Sequence, residues 1–150
     1  EQDAGYFALV RGTNSLQDAS QWVALIPFPA EQDVDAWIQQ VREAPELTML
    51  GEPSQVTVAG VSGTLLDAGV LPNPENTGGS GIAPGTQVLP SVAQLLKNDS
   101  TWVTSTPEAR VQFIVLDLGG QRMLLYLEAP AAEFESFRAD AEAMLSTLQP

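Results

Sequence analysis

Two apolar runs flank Gly119-Gly120: Val111-Gln112-Phe113-Ile114-Val115-Leu116 before it and Met123-Leu124-Leu125-Tyr126-Leu127 after it. Runs of strand length joined through a diglycine predict a β-hairpin. Val111, Phe113 and Val115 fall on one face of the first strand and Ile114 and Leu116 on the other, so this strand is expected in the middle of a sheet covered on both sides. Phe134, Phe137, Ala141, Met144, Leu145 and Leu148 then recur at helical spacing. They predict an amphipathic helix from Phe134 to Leu148 with its apolar stripe against the sheet.

Tyr6 to Arg11 and Trp22 to Ile26 are rich in aromatic and branched residues and read as two strands, the second ended by Pro27 and Pro29. Val34, Trp37, Ile38 and Val41 share one face of a helix predicted over 34–44, with Asp33 as its N-cap and Pro45 beyond its end. In Ser54-Gln55-Val56-Thr57-Val58 apolar and polar residues alternate, and Thr64 to Leu71 resumes an extended pattern after Gly60 and Gly63, so 54–71 reads as a second hairpin. Val88, Leu89, Val92, Leu95 and Leu96 suggest a short helix from Pro90-Ser91 to Lys97-Asn98-Asp99, and Trp102-Val103 a brief strand. Asp33 and Asp35, and later Glu133 and Glu135, sit where first-turn acids complement a helix dipole.

Such short links require antiparallel neighbours. The expected fold class is therefore α+β: an antiparallel sheet of about five to seven strands with helices packed on it. The segment from Pro72 through Pro84-Gly85 has turn and linker chemistry and predicts a flexible surface loop at about 72–87. Each half alone would offer only a few strands and one helix, so residues 1–150 are expected to form a single domain.

Composition removes many chemistries. The chain has no histidine and no cysteine, which excludes Ser-His-Asp and Cys-His catalysis, thiolate zinc sites and disulfides within it. Six basic residues against nineteen acidic ones give a formal charge of −13. The cations Arg11, Arg42, Lys97, Arg110, Arg122 and Arg138 form no basic run, so no nucleic-acid partner is expected. No stretch reaches the roughly 18–20 apolar residues of a membrane span, so the chain itself is not expected to insert, although an anchor upstream of Glu1 would leave no trace.

Candidate chemistry is correspondingly thin. A hydrolase would need opposed carboxylates. Asp67 and Asp117 are the acids in predicted strands that merit inspection, with exposed or edge positions expected for both. Asn73, Glu75, Asn76 and Thr77 could ligate calcium only weakly, since no calcium loop of the usual spacing is present, and no metal or cofactor is expected. Trp37 is expected in the core. Trp102, in a polar neighbourhood, could line a ligand groove with the 72–87 loop. Trp102, Asn76 and Asp117 are thus the candidate ligand- or partner-binding residues.

Val56-Thr57-Val58-Ala59-Gly60-Val61-Ser62-Gly63-Thr64, Arg110 to Asp117 with Gly120, Glu128-Ala129-Pro130 as the helix entry leading to Phe134, and Ala143-Met144-Leu145-Ser146-Thr147-Leu148, in this order, resemble PsbP-like domains. More narrowly they resemble those of bacterial cell-envelope proteins and lipoproteins of unknown function. The resemblance implies α/β/α layers around an antiparallel sheet and an extracytoplasmic, secreted or membrane-anchored binding or accessory domain without catalytic activity, with an unspecified protein or small-molecule partner. A small-molecule carrier or sensor with an apolar pocket is the alternative, and a carboxylate-dependent hydrolase the third reading.

Overall fold

The computed structural model describes residues 7–12, 19–75, 85–96, 104 and 108–146, with side chains from Gln21 onward. Strands β1 (Phe7–Gly12) and β2 (Ala19–Pro27) precede helix α1 (Val34–Glu43). The short β3 (Leu47–Met49), β4 (Ser54–Val58) and β5 (Val61–Val70) follow. A four-residue helix α2 (Pro90–Ala93) leads towards β6 (Ala109–Leu118) and β7 (Gln121–Pro130), and α3 (Phe134–Ser146) comes last.

All strand pairs are antiparallel, in the order β1-β2-β7-β6-β5-β3, with β4 also on β5. β5 is long enough to hold two partners on one edge: Ser54–Val58 pairs with its first half and Leu47–Met49 with its second. Seven strands therefore make a sheet six strands wide. β3 carries too few residues to show an alternation in sequence, which is why the hydrophobic pattern did not reveal it.

The diglycine turn forms as expected. Gly119 and Gly120 both take positive φ, 64° and 92°, which a two-residue hairpin turn requires and which glycine adopts without steric cost. The resulting β6–β7 ribbon lies at the centre of the sheet. On one face Val111, Phe113, Val115, Leu124 and Tyr126 pack with Trp37 and Val41 of α1 and Val92 of α2. On the other, Ile114, Leu116, Leu125, Leu127 and Ala129 pack with Phe134, Phe137 and Ala141 of α3. The molecule is an α+β structure with helices on both faces of an open antiparallel sheet.

Several expectations shift in detail. α1 is capped by Asp33, whose Oδ1 accepts the Ala36 N–H at 2.9 Å, and it ends one residue earlier than expected. The segment after Leu89 forms only the four-residue α2 rather than a helix reaching 97–99. Leu95 and Leu96 N–H bond three residues back, to Val92 and Ala93 carbonyls, and this tightened turn brings Leu89, Val92 and Leu95 into the core together. α3 is entered through a 3₁₀ turn at Ala131–Glu133. Its stripe is deepest at Phe134, Phe137 and Ala141, whereas Met144 and Leu145 are only half-buried. Trp102-Val103, Leu148 and most of the 72–87 loop lie outside the described residues.

Gly63 of β5 is held against β6 for a steric reason. A Cβ there would stand 2.7 Å from Leu116 Cδ2 and 2.8 Å from the Val115 carbonyl oxygen. The second contact is backbone and cannot be relieved by a rotamer change. Gly63→Ala is expected to destabilise by about 1–3 kcal/mol, readable as a lower urea midpoint; an unchanged midpoint would mean that β5 and β6 do not approach this closely.

Candidate functional site

The chain leaves β2 through Pro27-Phe28-Pro29 and turns into α1 along a hydrogen-bonded arch. Phe28 N–H donates to the Arg122 carbonyl at 3.0 Å, Gln32 N–H to the Pro29 carbonyl at 3.0 Å, and Asp33 caps the helix. Two prolines and these bonds fix the arch beside the β6–β7 turn. Between arch and turn lies an open cleft of about 660 Å³. Its apolar lining comes from Pro27, Phe28, Pro29, Ala30, Val34 and Leu95, and its polar lining from Glu31, Gln32, Gln121 and Arg122. A smaller recess of about 210 Å³ on the other side of the α1 N-terminus shares Val34 and Arg122 with it and adds Asp35 and Asp117.

Arg122 differs from the other arginines whose side chains are described. Arg42 is 2.8 Å from Glu52, Arg110 is 2.6 Å from Asp67 and 2.7 Å from Glu135, and Arg138 is 3.1 Å from Glu142. Arg122 Nε lies 4.0 Å from Asp117 Oδ2. That distance is beyond a hydrogen bond. Asp117 itself is occupied, because its Oδ1 accepts the Gly120 N–H at 2.9 Å and fastens the β6–β7 turn.

Of the residues singled out from sequence, Asp117 therefore stands at the rim of this region as a turn fastener, while Trp102 and Asn76 lie outside the described residues. The described ends of the 72–87 loop are tied together. Asn73 N–H donates to the Gly85 carbonyl at 2.9 Å, and Gln87 Nε2 to the Leu71 carbonyl at 3.1 Å. Among the described residues no group of three potential metal ligands gathers.

The expectation of an exposed or edge Asp67 is overturned. β5 has neighbours on both edges, and Asp67 stands 20% exposed in a two-bond pairing with Arg110 Nε and Nη2 at 3.0 and 2.6 Å. Arg110 also reaches Glu135, which thereby does more than complement a helix dipole, and lies 4.7 Å over the Phe134 ring. This cluster joins α3 to the sheet. Hydrogen bonding to Asp67, more than the opposing desolvation and the further bond to Glu135, holds the guanidinium above its ordinary range. A raised folded-state pKa gives stabilisation that is complete below the unfolded value and lost only in strong alkali, so this contribution is constant around neutrality. Arg110→Met is expected to cost about 1–3 kcal/mol by leaving Asp67 unpaired. A double-mutant cycle with Asp67→Asn checks it, and a coupling near zero would remove the pair from the account.

Sequence reasoning missed Glu128, which it used only to mark the entry to the last helix. On β7 it shares a face with Leu124 and Tyr126, is 1% exposed, and accepts the Tyr126 hydroxyl at 2.5 Å. Trp22, its cross-strand neighbour, keeps its buried indole N–H without a partner. The signal was present as the two-residue spacing of Tyr126 and Glu128 in a strand expected to be central.

A third opening, of about 620 Å³, lies between the second half of α1 and α2. At its side the Gln40 and Gln94 amides bond each other reciprocally at 3.0 Å. The cleft at Arg122 combines an apolar floor with a loosely held charge and is the better candidate.

No family model and no curated protein matches this chain by sequence. Among solved structures, all of the chain aligns with 85% of PA94 from Pseudomonas aeruginosa, a protein of unknown function described as a candidate regulator, with a TM-score of 0.57 at 10% identity. At that identity the likeness concerns the fold alone.

Proposed function

We propose that the chain is a non-enzymatic binding or accessory domain of PsbP-like type that works outside the cytoplasm and receives its ligand or partner in the cleft between the β2–α1 arch and the β6–β7 turn. The carrying observation is the cleft itself, with an apolar lining that includes the core residues Phe28 and Leu95 and a rim arginine held only loosely. The layered α+β arrangement agrees with what the sequence resemblance implies, and that resemblance supports the extracytoplasmic part of the reading. The carrier alternative draws support from the cleft volume of about 660 Å³, within the usual range for small-molecule sites. Paired-carboxylate catalysis has no comparable support, since Asp67 and Glu128 lie on opposite faces of the sheet and are engaged by Arg110 and Tyr126.

The test is a thermal-shift screen of small molecules against the parent and Ala30→Trp, which fills the cleft from an exposed position. Compounds that raise the parent's melting temperature and leave the variant's unchanged support the reading. A screen in which every stabilising compound acts equally on both would remove this cleft from the proposal. For the compartment, the full-length gene product fused to a reporter active only outside the cytoplasm should give signal.

A further inference from the structure

We infer that the cleft selects an aliphatic carboxylate, a fatty-acid-like molecule whose head meets Arg122 and whose chain lies over Phe28, Val34 and Leu95; this rests on the binding reading above. A chain of formal charge −13 has carboxylates to spare, and they hold Arg42, Arg110 and Arg138 at 3.1 Å or less. At Arg122 the nearest acid among the described residues stands 4.0 Å away with one oxygen committed to the turn. Its guanidinium therefore keeps donors available at the mouth of an apolar cleft; a planar carboxylate matches that fork with two parallel bonds, and carries a single charge where Glu31 and Asp117 stand nearby to oppose a more highly charged phosphate.

The walls decide between an aliphatic chain and a peptide. Pro27 and Pro29 have no N–H, and the Phe28 and Gln32 N–H groups are already bonded to the Arg122 and Pro29 carbonyls. An extended peptide would find few main-chain partners along this arch, whereas an aliphatic tail requires only the apolar surface. Glu31 shares the lining with Arg122. Its charge opposes an anion, so the two residues should act with opposite signs.

Calorimetry with decanoate and decyltrimethylammonium below their micellar concentrations and decanol below its solubility limit, with amide chemical shifts to locate binding, tests the inference. Decanoate should bind saturably with shifts at Phe28, Val34 and Arg122. Arg122→Gln should weaken it about three- to tenfold, as expected for a partly exposed charge-assisted contact, and Glu31→Gln should tighten it. Both positions are exposed, so the variants should fold. If decanol binds in the cleft as tightly as decanoate, or Arg122→Gln leaves decanoate affinity unchanged, carboxylate selection is overturned while the cleft remains a binding surface. If none of the three amphiphiles binds there, the inference fails, and the proposed function then stands or falls by the Ala30→Trp screen alone.

Discussion

Replacing Trp37 with alanine is expected to lower the unfolding free energy by about 3–5 kcal/mol. The side chain is fully buried, with Phe28 edge-on at a centroid distance of 5.2 Å and Phe113 at 5.8 Å. Its indole N–H donates to the Ser91 carbonyl at 2.7 Å, a buried bond between α1 and α2. Truncation thus opens a cavity, removes two aromatic contacts and leaves a buried carbonyl without that donor. Because Phe28 also floors the cleft, binding there should weaken along with stability. Urea unfolding checks the first effect; a loss below about 1 kcal/mol with an unchanged slope would contradict the packing described.

Phe137→Ala should cost a similar ~3–5 kcal/mol on the opposite face. Phe137 is 4% exposed, meets Phe134 at 6.1 Å, and anchors α3 where its stripe is deepest. With Leu145 only half-buried, little further along the helix can compensate. Since Trp37 and Phe137 belong to separate clusters on either side of the sheet, their losses should add to within about 0.5 kcal/mol in the double variant. A larger departure would show that strain passes through β6 and β7 from one layer to the other.

The elements with strong periodicity were legible in the sequence. The diglycine hairpin, the two long helices, the capping Asp33 and the double-sided burial of β6 follow from side-chain spacing and turn chemistry alone. What escaped depends on neighbours brought from far along the chain. Asp67 looked like a strand surface acid because nothing near it in sequence shows that Arg110 will sit beside it on the next strand. Glu128 looked like a helix entry because its burial depends on β2 covering β7. β3 is defined by its partner rather than by its own residues. The cleft was illegible for the same reason: Phe28, Leu95 and Arg122 come from three separate segments, and the distinguishing feature of Arg122 is a distance. Asp117 was noticed as an acid, yet its bond to Gly120 belongs to the turn.

The position of β6 and β7 at the middle of the sheet has a consequence for how the molecule is made. During synthesis β1 and β2 leave the ribosome long before β7, against which β2 must lie, and β5 likewise precedes β6. The early strands have no central ribbon to join until β6 and β7 have emerged. The early strands therefore dock only once the local β6–β7 pairing has formed, and until then their ribbon-facing edges stay open to whatever handles unpaired strands.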